Sequence, residues 1–244
     1  MELVKRDIIA RLQREVLSLQ GYKPASAGEE VDLGWGEVEH AFPNSTFPLS
    51  AVHEFLHDGP ESAAATSGFI SCLLSTLMRK RGACLWISSS RMLFPPALKF
   101  FGIEPDQIIF VDLRKEKDVL WALEEGLKCN ALAAVIGEVK DIGFTASRRL
   151  QLAVESSGVT GFLIRQSTPS TKTIASVSRW RIRSLPSELD QGMPGVGFPR
   201  WNVELSKVRN GRPGIWQLEW RAGEFIHTCQ QQPALAEFPE RKAV

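Results

Sequence analysis

His53-Glu54-Phe55-Leu56-His57 spells HExxH, and two residues later Gly59-Pro60-Glu61-Ser62-Ala63-Ala64-Ala65-Thr66 fills the frame of a phosphate loop, Gly-x-x-x-x-Gly-Lys-Ser/Thr. The first pattern does zinc chemistry when one helix face presents both imidazoles with the glutamate as base. The second cradles phosphates with backbone N–H groups, neutralises them with the Lys and reaches a metal through the Ser/Thr hydroxyl. The surroundings of HExxH argue against zinc. Pro48 before it and Asp58-Gly59-Pro60 after it leave no length for a helix, and a strand would separate the two imidazoles by about 13 Å. Ala63 stands where the third histidine of the extended zinc pattern would be, so no metal is expected.

In the phosphate frame Gly59 and Thr66 are in register, but Ala64 and Ala65 replace the second Gly and the Lys. Ala65 brings no cation, and Ala64 adds a Cβ where glycine can take positive φ and let a phosphate approach. Phosphate binding should be badly impaired, and no cofactor is expected. Taken alone, Gly59-Pro60 reads equally well as a turn before a helix.

Gly59-Pro60-Glu61-Ser62 resembles the opening of the phosphate loop in RecA recombinases, and other segments follow the same order. Residues 83–90 and 94–103 resemble the RecA stretch between the second core strand and the next helix. There Ser90 takes the place of the glutamate that activates water, and a serine cannot act as that base. Residues 132–139 resemble the Walker B strand, with Gly137 in place of the metal-directing aspartate. Glu138 comes one residue late, which on a strand turns it to the opposite face. Residues 161–166 resemble the strand whose last residue, here Gln166, couples nucleotide to the DNA-binding loop. The loop that follows, 167–178, is shorter than its RecA counterpart, which weighs against filament-type DNA binding.

Three further stretches, Gly21-Tyr22-Lys23-Pro24, residues 47–55 and Trp201 to Gly214, resemble a narrower family, the RecA-like ImuA proteins of bacterial damage-induced mutagenesis. The resemblance implies an SOS-regulated, non-catalytic accessory protein in translesion synthesis. Its partners would be an ImuB-type polymerase homologue, an error-prone C-family polymerase and RecA. A SulA-like cell-division inhibitor is the alternative, and an unorthodox nucleotide enzyme would need Glu61 or Glu138 recruited to a metal. RecA proteins dock an N-terminal helix on a neighbouring subunit; Ile8, Ile9, Leu12 and Val16, at helical spacing within 3–19, suit the same use on another copy or on RecA.

Positioning these residues requires a particular set of elements. Strand-like runs at 51–56, 84–88, 108–113, 132–136 and 161–164 alternate with amphipathic stretches, among them Ile70, Leu73, Leu74 and Leu77 at i, i+3, i+4 and i+7. Alternation of this kind predicts a RecA-like, mostly parallel sheet covered by helices on both faces. From Trp180 onward, runs around 181–183, 201–208 and 215–220, the last two joined by a turn at 209–214, predict antiparallel strands toward the C-terminus. The expected division is a helix at 1–20, a linker at 21–50 anchored by Trp35 and Phe42, the core at 51–225 and a mobile tail at 226–244.

A net charge of +1 in 244 residues gives no global bias toward nucleic acid or lipid. Locally, ten basic residues stand against four acids between 165 and 221. Arg165, Lys172, Arg179, Arg181, Arg183, Lys207, Arg209 and Arg212 are therefore candidate contacts for single-stranded DNA or a partner. The interleaved Trp180, Trp201, Trp216 and Trp220 read as core fillers by strand alternation. Cys72, Cys84 and Cys129 lie among apolar neighbours and are expected as buried free thiols. No apolar run is long enough to cross a membrane, and the cytoplasm is expected.

Overall fold

The computed structural model of the chain describes residues 33–79, 82–89, 93–169, 171–189 and 195–228. The expected N-terminal helix with Ile8, Ile9, Leu12 and Val16, Ser90, and nearly all of the tail lie outside them. Nine strands form one sheet: β1 (Val52–His57), β2 (Cys84–Ser88), β3 (Ile108–Asp112), β4 (Ala134–Glu138), β5 (Thr160–Gln166), β6 (Ser178–Leu185), β7 (Arg200–Val208), β8 (Gly214–Arg221) and β9 (Glu224–His227). Their spatial order is β3-β2-β4-β5-β1-β6-β7-β8-β9. Neighbours from β3 to β6 run parallel, and those from β6 to β9 antiparallel.

Helices α1 (Pro60–Leu77), α2 (Glu116–Lys128) and α3 (Phe144–Ser157) follow β1, β3 and β4. On one face of the sheet α1 buries Ile70, Leu73, Leu74 and Leu77 against Phe55, Phe162, Trp180 and Trp201. On the other, Leu123 and Leu127 of α2 and Leu150 and Val154 of α3 cover Val52, Val135 and Leu163. Central strands covered on both faces cannot alternate apolar with polar, which is why β1 and β5 are buried almost end to end. Among the described residues the antiparallel half has helix on one face only, and there alternation holds: Trp180, Trp201 and Trp220 point inward and are buried.

Residues 33–50, expected as part of a linker, are packed into the core. Trp35 is fully buried, with ring centroids 5.2–5.9 Å from Phe47, Phe69, Trp180 and Phe225. The Gly- and Pro-rich composition here supplies turns for two short 3-10 helices, Gly36–Ala41 and Pro43–Ser45, while the aromatic rings provide the buried area. The core boundary expected after residue 225 falls inside β9, and the amide of Thr228 still donates to Gln217 O at 3.0 Å.

Cys72 and Cys84 are buried free thiols; burial pushes the Cys72 thiol up and Cys84 to about 12. Cys129 corrects the expectation: it caps the end of α2 and is exposed. Its apolar sequence neighbours belong to elements it does not join. No helix among the described residues is long and apolar enough to cross a membrane.

Candidate functional site

Only Asp58 and Gly59 separate β1 from α1, because the helix starts at Pro60, the second residue of the phosphate frame. Pro60 suits a first helical position, where its missing N–H costs nothing. The amide of Ala63 donates to Gly59 O at 2.9 Å as an ordinary helical bond. Ser62 Oγ accepts from the amides of Asp58 at 2.9 Å and Gly59 at 3.1 Å. The amides of Asp58, Gly59 and Ala63 are thus bonded within the chain. The side chains follow suit. Ala65 is only 8 % exposed and sits in the core, so a lysine there would have to bury its ammonium. Buried Thr66 donates its hydroxyl to Ser62 O at 2.7 Å. Ala64 faces solvent.

The charge at this helix start is negative. Asp58 lies 3.6 Å from Arg181 and 3.3 Å from Arg183, and Glu61 accepts a hydrogen bond from Ser184. Both carboxylates are favoured by the positive end of the α1 dipole, the place a phosphate would otherwise use. His57 donates through Nδ1 to Gly59 O at 3.2 Å, and burial holds its pKa below the usual value.

Gly137 is fixed by packing. A Cβ at this position would lie 2.4 Å from Leu123 Cδ2, so α2 occupies the room an aspartate would need. Glu138 points to the opposite face and accepts from Trp86 Nε1 at 2.8 Å; burial raises its pKa. Gln166 is exposed at the end of β5, paired with His57 of β1.

The HExxH residues lie on a strand. His53 is buried between Pro48 O and Ser178 Oγ, at 2.8 and 2.6 Å from its ring nitrogens. Glu54, fully buried, is clamped by two arginines: Arg165 Nη1 at 2.5 Å on one oxygen and Arg179 Nε at 2.7 Å on the other. Among the described residues no group of three or more His, Cys, Asp or Glu is arranged to hold a metal.

These contacts redraw the basic patch. Arg165 is only 2 % exposed and reaches neither DNA nor a partner, a correction to its place among the candidate contacts. Arg179 is partly buried on Glu54, and Arg181 and Arg183 are paired with Asp58. Lys207 donates to Ile174 O and Ser176 O; burial, then the charge of Arg179, lowers its pKa. The amide of Arg209 donates to Val177 O and that of Arg212 to Ala41 O, each at 2.8 Å. Lys172, Arg183 and Arg212 are the members of the set that are exposed. Among the described residues no continuous track of uncompensated cations forms. The balancing acids, Glu54 and Asp58, lie more than a hundred residues upstream, outside the window in which the sequence shows its excess of basic residues. The Glu54 clamp was missed for the same reason: its one sequence signal was a glutamate placed mid-strand.

Protein ImuA of Caulobacter vibrioides, in strains NA1000 / CB15N and ATCC 19089 / CIP 103742 / CB 15, is 36% identical over 220 residues, spanning 84% of this chain and 90% of its own length. The chain belongs to the ImuA family. Among solved structures, the crystal structure of the RadB recombinase superposes with a TM-score of 0.55 at 12% identity, covering 80% of this chain and 98% of that one. The likeness shows the fold of this ImuA-family chain, a RecA-like core. No family model matches the sequence. In the ImuA-family chain, then, the place of the phosphate loop is taken by a closed helix start bearing two paired carboxylates.

Proposed function

We propose that this ImuA-family chain is a non-catalytic RecA-like accessory protein of damage-induced (SOS) translesion mutagenesis. It acts through contacts with an ImuB-type polymerase homologue, an error-prone C-family polymerase and RecA. One observation carries the non-catalytic part: α1 begins inside the phosphate frame, the amide of Ala63 is spent on Gly59 O and that of Gly59 on Ser62 Oγ, and the residue at the lysine position is in the core. A triphosphate would meet Asp58 and Glu61 instead of a cradle, and the nearest arginines already hold Asp58. Family membership supports the mutagenesis role.

The test is calorimetry of the purified full chain with magnesium and ATP, beside the double variant Ala64→Gly, Ala65→Lys. Neither protein should bind, because restoring two side chains does not reopen a helix. Micromolar binding by the natural protein would return an energy-dependent function to play. Pull-downs with ImuB and RecA then test the partners, and capture of the tubulin-like division protein in their place would favour the SulA-like alternative.

A further inference from the structure

At the other end of α1, about 22 Å along the helix axis from Pro60, Ser75 and Arg79 help form an open cleft of about 390 Å³. Phe100, Phe101, Phe198 and Trp220 line it, and Arg79 and Lys99 supply the charge. Among the described residues the lining contains no acidic side chain. We infer that this cleft docks a segment of a partner protein carrying a bulky apolar side chain flanked by aspartate or glutamate.

The helix that brings Phe100 to the rim extends the surface. Pro95–Phe101 is a 3-10 helix, in which residues three apart eclipse one another. Ala97 and Phe100 therefore line up on its outer face, and Phe94 precedes them as the extended cap of the helix. Phe94 is 68% and Phe100 58% exposed. Leu98 and Phe101, on the inner side, hold the helix to the core. Exposed aromatic rings beside an arginine form the kind of patch where single side chains carry most of a binding energy.

Charge decides what kind of partner fits. Arg79 stands at the mouth, its guanidinium 3.9 Å from the position a Cβ on Gly223 would take, so it leans on the β8–β9 turn. Lys99 is held by Glu104 at 3.1 Å, but both side chains are more than 60% exposed, and such a pair is easily exchanged for a partner's carboxylate. Two cations facing an acid-free apolar hollow call for an apolar anchor with an acidic neighbour.

Single-stranded nucleic acid suits the same charge less well, because it needs free ring faces and a track of cations. Trp220 is 3% exposed, Phe101 is partly buried, and the Phe198 ring is covered by Arg221 at 4.4 Å. Phe100 and Phe94 are the exposed rings, and the two cations of the lining make no track. The inference stands on the cleft and not on the non-catalytic proposal, since peptide binding is measured without nucleotide.

To test it, the immobilised full chain is panned with a phage-displayed random-peptide library. The dominant peptide is then labelled with fluorescein and titrated by anisotropy. The selected sequences should place Phe, Trp or Leu beside Asp or Glu. Affinity should fall about tenfold or more in Arg79→Glu and in Phe100→Ala, both exposed and tolerant of change. It should not move in Lys117→Glu, an exposed charge on α2 across the sheet. Selected peptides without that pattern, or equal affinity in all four proteins, would overturn the inference. So would a labelled oligothymidine that binds through Arg79 and Phe100, which would hand the cleft to nucleic acid.

Discussion

Acidification perturbs this protein at one buried imidazole, and the size of the effect follows from its hydrogen bonds. Pro48 O can only accept, so His53 Nε2 carries the proton and Nδ1 accepts from Ser178. The same Ser178 oxygen accepts from Trp180 Nε1 at 2.7 Å, which leaves its hydroxyl hydrogen for the histidine. Every proton in the chain from Trp180 to Pro48 has one place, and the ring is stacked on Phe47 at 4.3 Å. Burial drives the pKa of His53 from 6.5 to about 3. Below 6.5 the unfolded chain takes up a proton that the folded chain refuses, so the contribution is complete above that pH and is lost as pH falls toward 3. Between about pH 7.5 and about pH 5 the loss comes to roughly 2 kcal/mol, a large part of the stability of a typical domain. The assay is urea unfolding at both pH values for the natural protein and for His53→Gln, which keeps a donor and an acceptor but does not titrate. Other titrating groups act equally in both proteins and cancel. The natural protein should lose about 2 kcal/mol more than the variant on acidification. Parallel losses, or an NMR titration of His53 near its ordinary value, would refute the burial argument.

Removing Glu54 by Glu54→Ala leaves buried Arg165 only the exposed Asp141 at 3.6 Å and should cost about 3 kcal/mol in urea unfolding, while a matched Glu54→Leu, Arg165→Met pair should recover most of it. Gly137→Asp should lower the thermal midpoint by several degrees, since the new Cβ meets Leu123, and Leu123→Ala in the same chain should relieve it without conferring magnesium-dependent ATP binding. Asp58→Asn loosens an exposed pair with Arg181 and Arg183 and should shift urea stability by under about 1 kcal/mol.

The strands and helices were legible because their signal is local. Ile70, Leu73, Leu74 and Leu77 mark α1 by spacing alone, and the unbroken apolar runs of the parallel strands announce cover on both faces. What the sequence hid was pairing across distance. β1 and β6 are neighbours although their paired residues lie 125 positions apart, as in His53 with Ser178. The arginines of β6 therefore looked uncompensated until Glu54 and Asp58 came beside them. Residues 94–103 were legible as a stretch leading to a helix but not as a 3-10 helix at Pro95–Phe101, a form the two leading prolines do not settle. The aromatic segment around Trp35 read as linker because Gly and Pro mark turns whether or not the turns are packed.

Under the proposed reading, each position where the chain departs from the RecA pattern is occupied by a contact that opposes reversal. The amide of Ala63 is bonded to Gly59 O and that of Gly59 to Ser62 Oγ, the lysine position lies in the core, and Leu123 fills the aspartate position. Asp58 and Glu61 now supply from within the chain the negative charge that a nucleotide would bring, and they join the β1–α1 corner to Arg181, Arg183 and Ser184 of β6. A ligand shifts an equilibrium only as far as its affinities for two states differ. If the proposed reading holds, this corner is held closed without a ligand, and a partner meets one arrangement of the sheet, not one that depends on ATP. The consequence is measurable: hydrogen exchange of the amides at 58–66 should be the same with and without magnesium and ATP, and nucleotide-dependent protection there would mean that the corner still opens.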